Sequence, residues 1–306
     1  MSRVHDALRR AGSDPDPGPI PARSGVVAAP PSAPVQAFVS GPPAEPSGAQ
    51  EDLLARIAEV PFNPSPEALL IDPAHPYEAP TEEFRSLRTR LNHLQSLQPI
   101  HNVVITSASP TEGKSFSAVN LALAQAQLSG NPTLLADFDL RRPVLHSIFR
   151  LSRTPGITDF LLGRAQLHEV IRRIAGTNLY VLPAGEAVLN PLELLNLPDV
   201  KRLLDDLPSI FHWVILDSPP LLFAADANLL STLCHGTILV VRVGATTVDS
   251  VTRAMQSLCQ NNVLGIVVNG ARRGELYSKY SYYNAYYQNQ DASEDKSEPA
   301  ASGAGQ

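Results

Sequence analysis

The chain has 306 residues, 43% of them hydrophobic, with 24 Lys and Arg against 30 Asp and Glu, a net charge of −6, and 2 cysteines. That length admits one large α/β domain with tails or two small domains, and the acidic balance argues against a nucleic-acid partner. Cys234 and Cys259 lack metal-ligand spacing and read as buried thiols of a reducing compartment. No stretch of about 18 apolar residues is present to span a bilayer, and the polar, basic opening has no apolar centre of a secretory signal.

The first element, Ser2 to Ala11, places Val4, Ala7, Leu8 and Ala11 on one helical face. It is too short to be stable alone, so a docked helix and an unstructured tail are both compatible with it. Sixteen of the 28 prolines precede residue 81, and residues 12–47 mix Pro, Ala, Gly and Ser without apolar period, which predicts a flexible linker. Asp52 to Val60 is a second short helical candidate. Thr81 to Leu97 is a stronger one, capped by Thr81 and ended before Pro99. Its Glu82, Arg85 and Arg88 fall at i, i+3, i+6, which by itself describes a solvated charged face.

Next comes Val103-Val-Ile-Thr-Ser-Ala-Ser-Pro-Thr-Glu-Gly-Lys-Ser115, an apolar strand running into a loop, followed by a helix from Phe116. Backbone N–H groups of such a loop and of the helix N-terminus point at phosphates. Ser109, Pro110, Thr111, Glu112, Gly113, Lys114, Ser115 and Phe116 form the expected nucleotide-binding set. Within it Lys114 reaches the β- and γ-phosphates, and the Ser115 hydroxyl sits on Mg²⁺. Ala108 stands where this motif usually has glycine, which is tolerable only at negative φ.

Thr133 to Asp139 reads as a strand ending in carboxylates, with Asp137 and Asp139 on the same side of an extended segment. Trp213-Val-Ile-Leu-Asp217-Ser-Pro-Pro220 is another buried strand ending in Asp, whose carboxylate can hold a metal directly or through water. Further strands are expected near Leu179–Pro183, Thr237–Val243 and Leu264–Val268. Helices are expected at Phe116–Ser129, Leu167–Ala175, Pro191–Leu207, Asp226–Leu233 and Val248–Asn261. The near-continuous apolar strands predict a doubly wound α/β fold with a mainly parallel sheet and ligands at the strands' carboxyl ends.

Six of the eight tyrosines crowd the C-terminal segment: Tyr277, Tyr280, Tyr282, Tyr283, Tyr286 and Tyr287. Their spacing fits neither an amphipathic helix nor an alternating strand. The acidic balance disfavours a nucleic-acid stacking surface, so a phosphoacceptor tail is the sharper reading beside a plain aromatic patch. The expected division is a tail and linker with short helical pieces over residues 1–75, a P-loop nucleotide-binding domain over 76–273, and a largely disordered tyrosine tail over 274–306.

Together the P-loop with its variant Walker motifs, Asp137-Phe-Asp139-Leu-Arg141, Asp217-Ser-Pro-Pro220 and the tyrosine cluster resemble the bacterial tyrosine autokinases of capsule and exopolysaccharide synthesis. Glu82-Glu-Phe-Arg85-Ser-Leu-Arg88 is similar to that family's oligomerisation helix, and Asn190-Pro-Leu-Glu-Leu-Leu195 to the segment before its second nucleotide motif. The resemblance covers roughly Pro76 to Tyr287. It implies ATP and Mg²⁺, with Lys114, Asp137, Asp139 and Asp217 catalytic and Ser115, Asp137 and Asp217 at the metal. Asp137 would take the tyrosine hydroxyl proton, and Asp139 would support metal or subunit contacts. Arg141 and Arg142 suit phosphate, a partner carboxylate or plain surface. Asn269 is assigned to adenine, and Asp226 to a helix cap. The resemblance further implies a homo-oligomeric ring with tails modified in trans, a separate membrane chain-length regulator, a tyrosine phosphatase, and a cytoplasmic location at the inner face of the membrane through that partner. Two rival classes stand beside it. Partitioning and septum-placing ATPases carry a second lysine where this chain has Ser109. A non-catalytic ATP-binding scaffold of the export machinery is the other.

Overall fold

The computed structural model describes residues 48–65, 71, 81–258 and 263–271. The first half of the chain supplies α1 (Gly48–Arg56), β1 (Ala58–Val60), α2 (Thr81–Leu97), β2 (Asn102–Ser107), α3 (Lys114–Ala126), β3 (Thr133–Asp137) and α4 (Leu145–Ile148). After them come α5 (Ile157–Leu161), α6 (Leu167–Val170), β4 (Arg172–Ile174), β5 (Leu179–Leu182), α7 (Pro191–Leu195) and α8 (Pro198–Asp206). The last group is β6 (Trp213–Asp217), α9 (Ala225–Leu233), β7 (Gly236–Arg242), α10 (Val248–Ser257) and β8 (Val263–Asn269). The helix expected at residues 2–11, Cys259 and the six clustered tyrosines lie outside the described residues.

The strands form one eight-stranded sheet in the order β1-β4-β5-β3-β6-β2-β7-β8. Every pairing is parallel except β4 with β5. Central strands β2, β3 and β6 are buried along their whole length. Successive residues of a strand face opposite sides, so each apolar run feeds two cores. Val104, Leu134, Ala136, Val214 and Leu216 pack on one side, with residues of α5, α7 and α8. Val103, Ile105, Leu135, Trp213 and Ile215 pack on the other, with α2 and α3. Helices on both faces of a mainly parallel sheet are the doubly wound arrangement expected from the sequence.

Three elements differ from expectation. The segment Asp52–Val60 is helical only to Arg56; Ala58–Val60 is an edge strand of the sheet, so residues before Pro76 belong to the fold. The helix expected over Leu167–Ala175 is a single turn ending at Val170, and Arg172–Ile174 is a strand. The i, i+3 spacing of Ile171 and Ile174 fits either state, and pairing with β1 and β5 decides it, a tertiary override of local pattern. Finally, β3 stops at Asp137 and not at Asp139. The Asp137 carboxylate instead turns to accept the backbone N–H groups of Val144 and Leu145, both at 3.0 Å, at the start of α4.

Candidate active site

The site is built where β2, β3 and β6 end side by side. Ala108, fully buried behind the loop, is not among the residues with positive φ, as its methyl requires. Thr111 and Gly113 do take left-handed backbone, with φ of 64° and 98°. Such a turn aims successive N–H groups into one concavity, and the first turn of α3 adds donors that have no intrahelical acceptor. Gly113 is the residue preceding that turn. Thus the loop can cradle a phosphate chain.

The Lys114 ammonium lies 2.9 Å from Asp139 Oδ2, 3.4 Å from Asp217 Oδ1 and 3.1 Å from Ser115 Oγ. Burial works against its charge, but Asp217 and Asp139 outweigh that and hold its pKa above the ordinary lysine value. Asp137 and Asp217 are directly paired across β3 and β6, and both are fully buried. Burial, then the Asp217 charge, pushes the Asp137 carboxyl up to about 8. Burial raises Asp217 too, although Lys114 and a Ser115 hydrogen bond pull the other way. One oxygen of each carboxylate, Asp137 Oδ1 and Asp217 Oδ2, is buried without a hydrogen-bond partner. Two unpartnered hard oxygens beside a serine hydroxyl fit a magnesium ion, which takes one or two carboxylates and completes its shell with water and phosphate. Among the described residues no group of three or more His, Cys, Asp or Glu forms a self-sufficient metal cage.

These charges set a pH dependence. A carboxyl whose pKa is raised by folding binds more protons folded than unfolded between its ordinary value, 3.8, and about 8. Stability therefore falls as pH rises through that window. Without magnesium, the melting temperature should drop by several degrees from pH 5 to pH 8. Asp137→Asn should flatten that slope, and added Mg²⁺ should raise the midpoint more at pH 8 than at pH 6. Scanning fluorimetry across pH checks this; a slope unchanged by Asp137→Asn would contradict the assignment.

Other expected site residues are redirected. Asp139 Oδ1 accepts from Arg142 N at 3.0 Å while its other oxygen holds Lys114, so it does not share a function with Asp137 through strand alternation. Arg141 makes a two-pronged pair with buried Asp226, at 2.7 and 3.1 Å. Asp226 thus anchors the segment after β3 and does not act as the cap of α9. Ser109 donates its N–H to the Glu112 carboxylate, and Pro110 is exposed at the loop tip. The Phe116 ring packs edge-on against Phe84 of α2, centroids 5.8 Å apart. Asn269 is occupied by the loop itself: Nδ2 donates to Glu112 O at 3.0 Å and Oδ1 accepts from Gly270 N. On α2, Glu82 is exposed, and Arg88 donates to Ala124 O at the end of α3 at 2.8 Å.

No family model matches the chain. It is similar to the tyrosine-protein kinase YwqD of Bacillus subtilis, 36% identical over 205 residues that make up 66% of this chain and 86% of YwqD. The chain belongs to the bacterial tyrosine-protein kinases. The kinase is also 32% identical to CpsD of Streptococcus agalactiae over 210 residues, 67% of its own length and 90% of that of CpsD. Against the tyrosine-protein kinase Etk of Escherichia coli it is 33% identical over 211 residues, yet it spans only 29% of Etk's length. The solved kinase domain of Etk has a TM-score of 0.62 and 32% identity to the kinase, covering 65% of this chain and 78% of that domain. The septum site-determining protein MinD of Pyrococcus horikoshii, at TM-score 0.50 and 21% identity over 57% of this chain and 72% of MinD, shares the fold alone. The family read from the motifs is therefore borne out. What the motifs did not carry is the set of side chains behind the phosphate loop of the kinase: the Glu112 carboxylate, Arg242, Thr246 and the true orientation of Asn269. Thr246 sits in no recognisable pattern, and only the acidic residue within the loop gave a signal that something must hold it.

Proposed function

We propose that the kinase is a magnesium-dependent autokinase that transfers the γ-phosphoryl group of ATP to its own C-terminal tyrosines, in trans within an oligomer, and so regulates exopolysaccharide or capsule polymerisation and export. The observation that carries this reading is the convergence of Lys114, Ser115, Asp137, Asp139 and Asp217 beneath a loop shaped for phosphates. Phosphoryl transfer needs charge neutralisation and alignment more than covalent chemistry from the protein. Magnesium, held by Ser115, Asp217 and Asp137, would supply positive charge against the phosphate oxygens. Lys114 supplies the protein's own cation, and the loop N–H groups fix the phosphate chain. Asp137 accepts the phenolic proton as the tyrosine oxygen bonds to phosphorus and ADP leaves. Glu82, Arg85 and Arg88 are the proposed subunit contact. A separate membrane chain-length regulator and a tyrosine phosphatase are the proposed partners, which would place the kinase at the inner face of the cell membrane. Among the described residues no helix is long and apolar enough to cross a membrane.

Each added phosphate brings about −1.5 to −2 charges, so several on one tail would repel each other and the acidic body and loosen the assembly. Incubating the purified chain with labelled ATP and Mg²⁺ tests the reading. Labelled protein, with mass spectrometry placing phosphate on residues 277–287, is the expected result. Release of free phosphate alone would replace the kinase with an ATPase of the positioning type.

A further inference from the structure

The phosphate loop is held from behind by a closed hydrogen-bonded circuit that no nucleotide contact requires. Glu112 lies within the loop, yet the residue is only 3% exposed, and both of its carboxylate oxygens are taken by hydrogen bonds within the protein. Its Oε2 accepts the Ser109 N–H at 2.9 Å, tying the two arms of the loop together. Its Oε1 accepts the Thr246 hydroxyl at 2.6 Å. The same hydroxyl oxygen accepts the Arg242 N–H at 2.8 Å. Arg242 then returns to the loop, its guanidinium donating to Thr111 O at 3.1 Å. Asn269, at the end of β8, closes the set by donating to Glu112 O at 3.0 Å. All three outside residues come from the carboxyl ends of β7 and β8 and the turn after β7.

Of the three loop residues this circuit touches, Ser109, Thr111 and Glu112, Thr111 is the one whose backbone needs holding. Thr111 carries a β-branched side chain at φ 64°, a conformation such residues rarely adopt. A strained turn persists only when its surroundings over-determine it. Placement of the phosphate donors to within a fraction of an ångström is what makes such a loop bind.

We propose that Glu112 and Thr246 are positioning residues of the kinase: they touch no phosphate, and they hold the loop in its nucleotide-binding form by joining it to the turn after β7. The inference rests on the ATP-binding reading above. Thr246→Val removes the hydroxyl at nearly constant shape and strands both a buried carboxylate oxygen and a backbone N–H. Thr246→Ser keeps the hydroxyl. Glu112→Ala removes both acceptors.

The test is titration of the purified full chain with a fluorescent ADP analogue in Mg²⁺, beside thermal melts without nucleotide. Thr246→Val and Glu112→Ala are expected to raise Kd about 10- to 100-fold. Thr246→Ser should stay within about threefold of wild type. The double variant Glu112→Ala/Thr246→Val should be no weaker than the worse single one, because both break one circuit. The nucleotide-free melting points should move by only a few degrees. Wild-type affinity in Thr246→Val overturns the inference while leaving the ATP reading intact. Equal loss in Thr246→Ser and Thr246→Val overturns it as well, since the hydroxyl would then be irrelevant. Failure of the wild-type chain to bind the analogue overturns the ATP reading and the inference with it.

Discussion

Lys114→Met should reduce transfer of phosphate from Mg-ATP to tyrosine by about 10³-fold or more, to the background of an anti-phosphotyrosine blot. Methionine keeps the length and apolar bulk of the lysine stem and removes only the cation. Two things are lost together. The phosphate chain loses its protein-borne counter-charge. The carboxylates of Asp139 and Asp217, held at 2.9 and 3.4 Å, lose theirs. The lysine side chain is 13% exposed and both partners are nearly or wholly buried, so the second loss matters. Removing one partner of a buried pair costs on the order of 3–5 kcal/mol. The penalty should grow with pH, because burial raises the Asp217 carboxyl's pKa, Lys114 is one of the groups that pulls it back down, and without the lysine the carboxyl stands charged and unpaired as pH rises. The assay therefore belongs well below the variant's melting temperature, with the folded fraction measured by circular dichroism. Undiminished phosphotyrosine on a folded Lys114→Met chain would remove Lys114 from the mechanism.

Gly113→Ala should abolish nucleotide binding while leaving the sheet folded. A Cβ at this position would lie 1.9 Å from Asn269 Nδ2 and 3.1 Å from its Cγ. The backbone compounds the clash. At φ 98° Gly113 lies in the outer part of the left-handed region, beyond the range of about +50° to +70° that other residues enter, whereas Thr111 at 64° lies within that range. Alanine must either flatten the loop or push Asn269 out, and both destroy the cradle. The strain amounts to about 1–3 kcal/mol, a local loss that a domain of this size survives. An affinity drop of about 100-fold or more is expected, with an unchanged far-ultraviolet spectrum. Titration with labelled ADP reads the first and circular dichroism the second; retained affinity would show that the loop reaches its binding form without the left-handed turn.

The central strands and the charged residues at their ends were legible because both follow from local chemistry. An apolar run buried on two faces announces itself, and an Asp at its end can be placed without knowing which strand lies beside it. Hence Lys114, Asp137, Asp139 and Asp217 could be expected to converge, and they do. Short edges were not legible. β1 and β4 have three residues each, and neither is a strand until the other lies alongside it. Side-chain direction was equally hidden. Asn269 and Phe116 stand at the expected positions, yet one braces the loop and the other packs on Phe84. Asp226 looked like a helix cap because nothing local reveals that Arg141, 85 residues earlier, reaches it.

The strand Ala58–Val60 has a practical consequence for anyone shortening this protein. A version beginning at Pro76 would discard β1, uncover the side of the core now sealed by Ile57, and leave the Ala175 N–H without the Val60 carbonyl it bonds at 2.8 Å. Arg172–Ile174 would become a bare sheet margin, open to the first stray chain that could zip onto it. Such a fragment would be sticky for reasons unrelated to its chemistry, and any self-association it displayed would be an artefact of where it was cut.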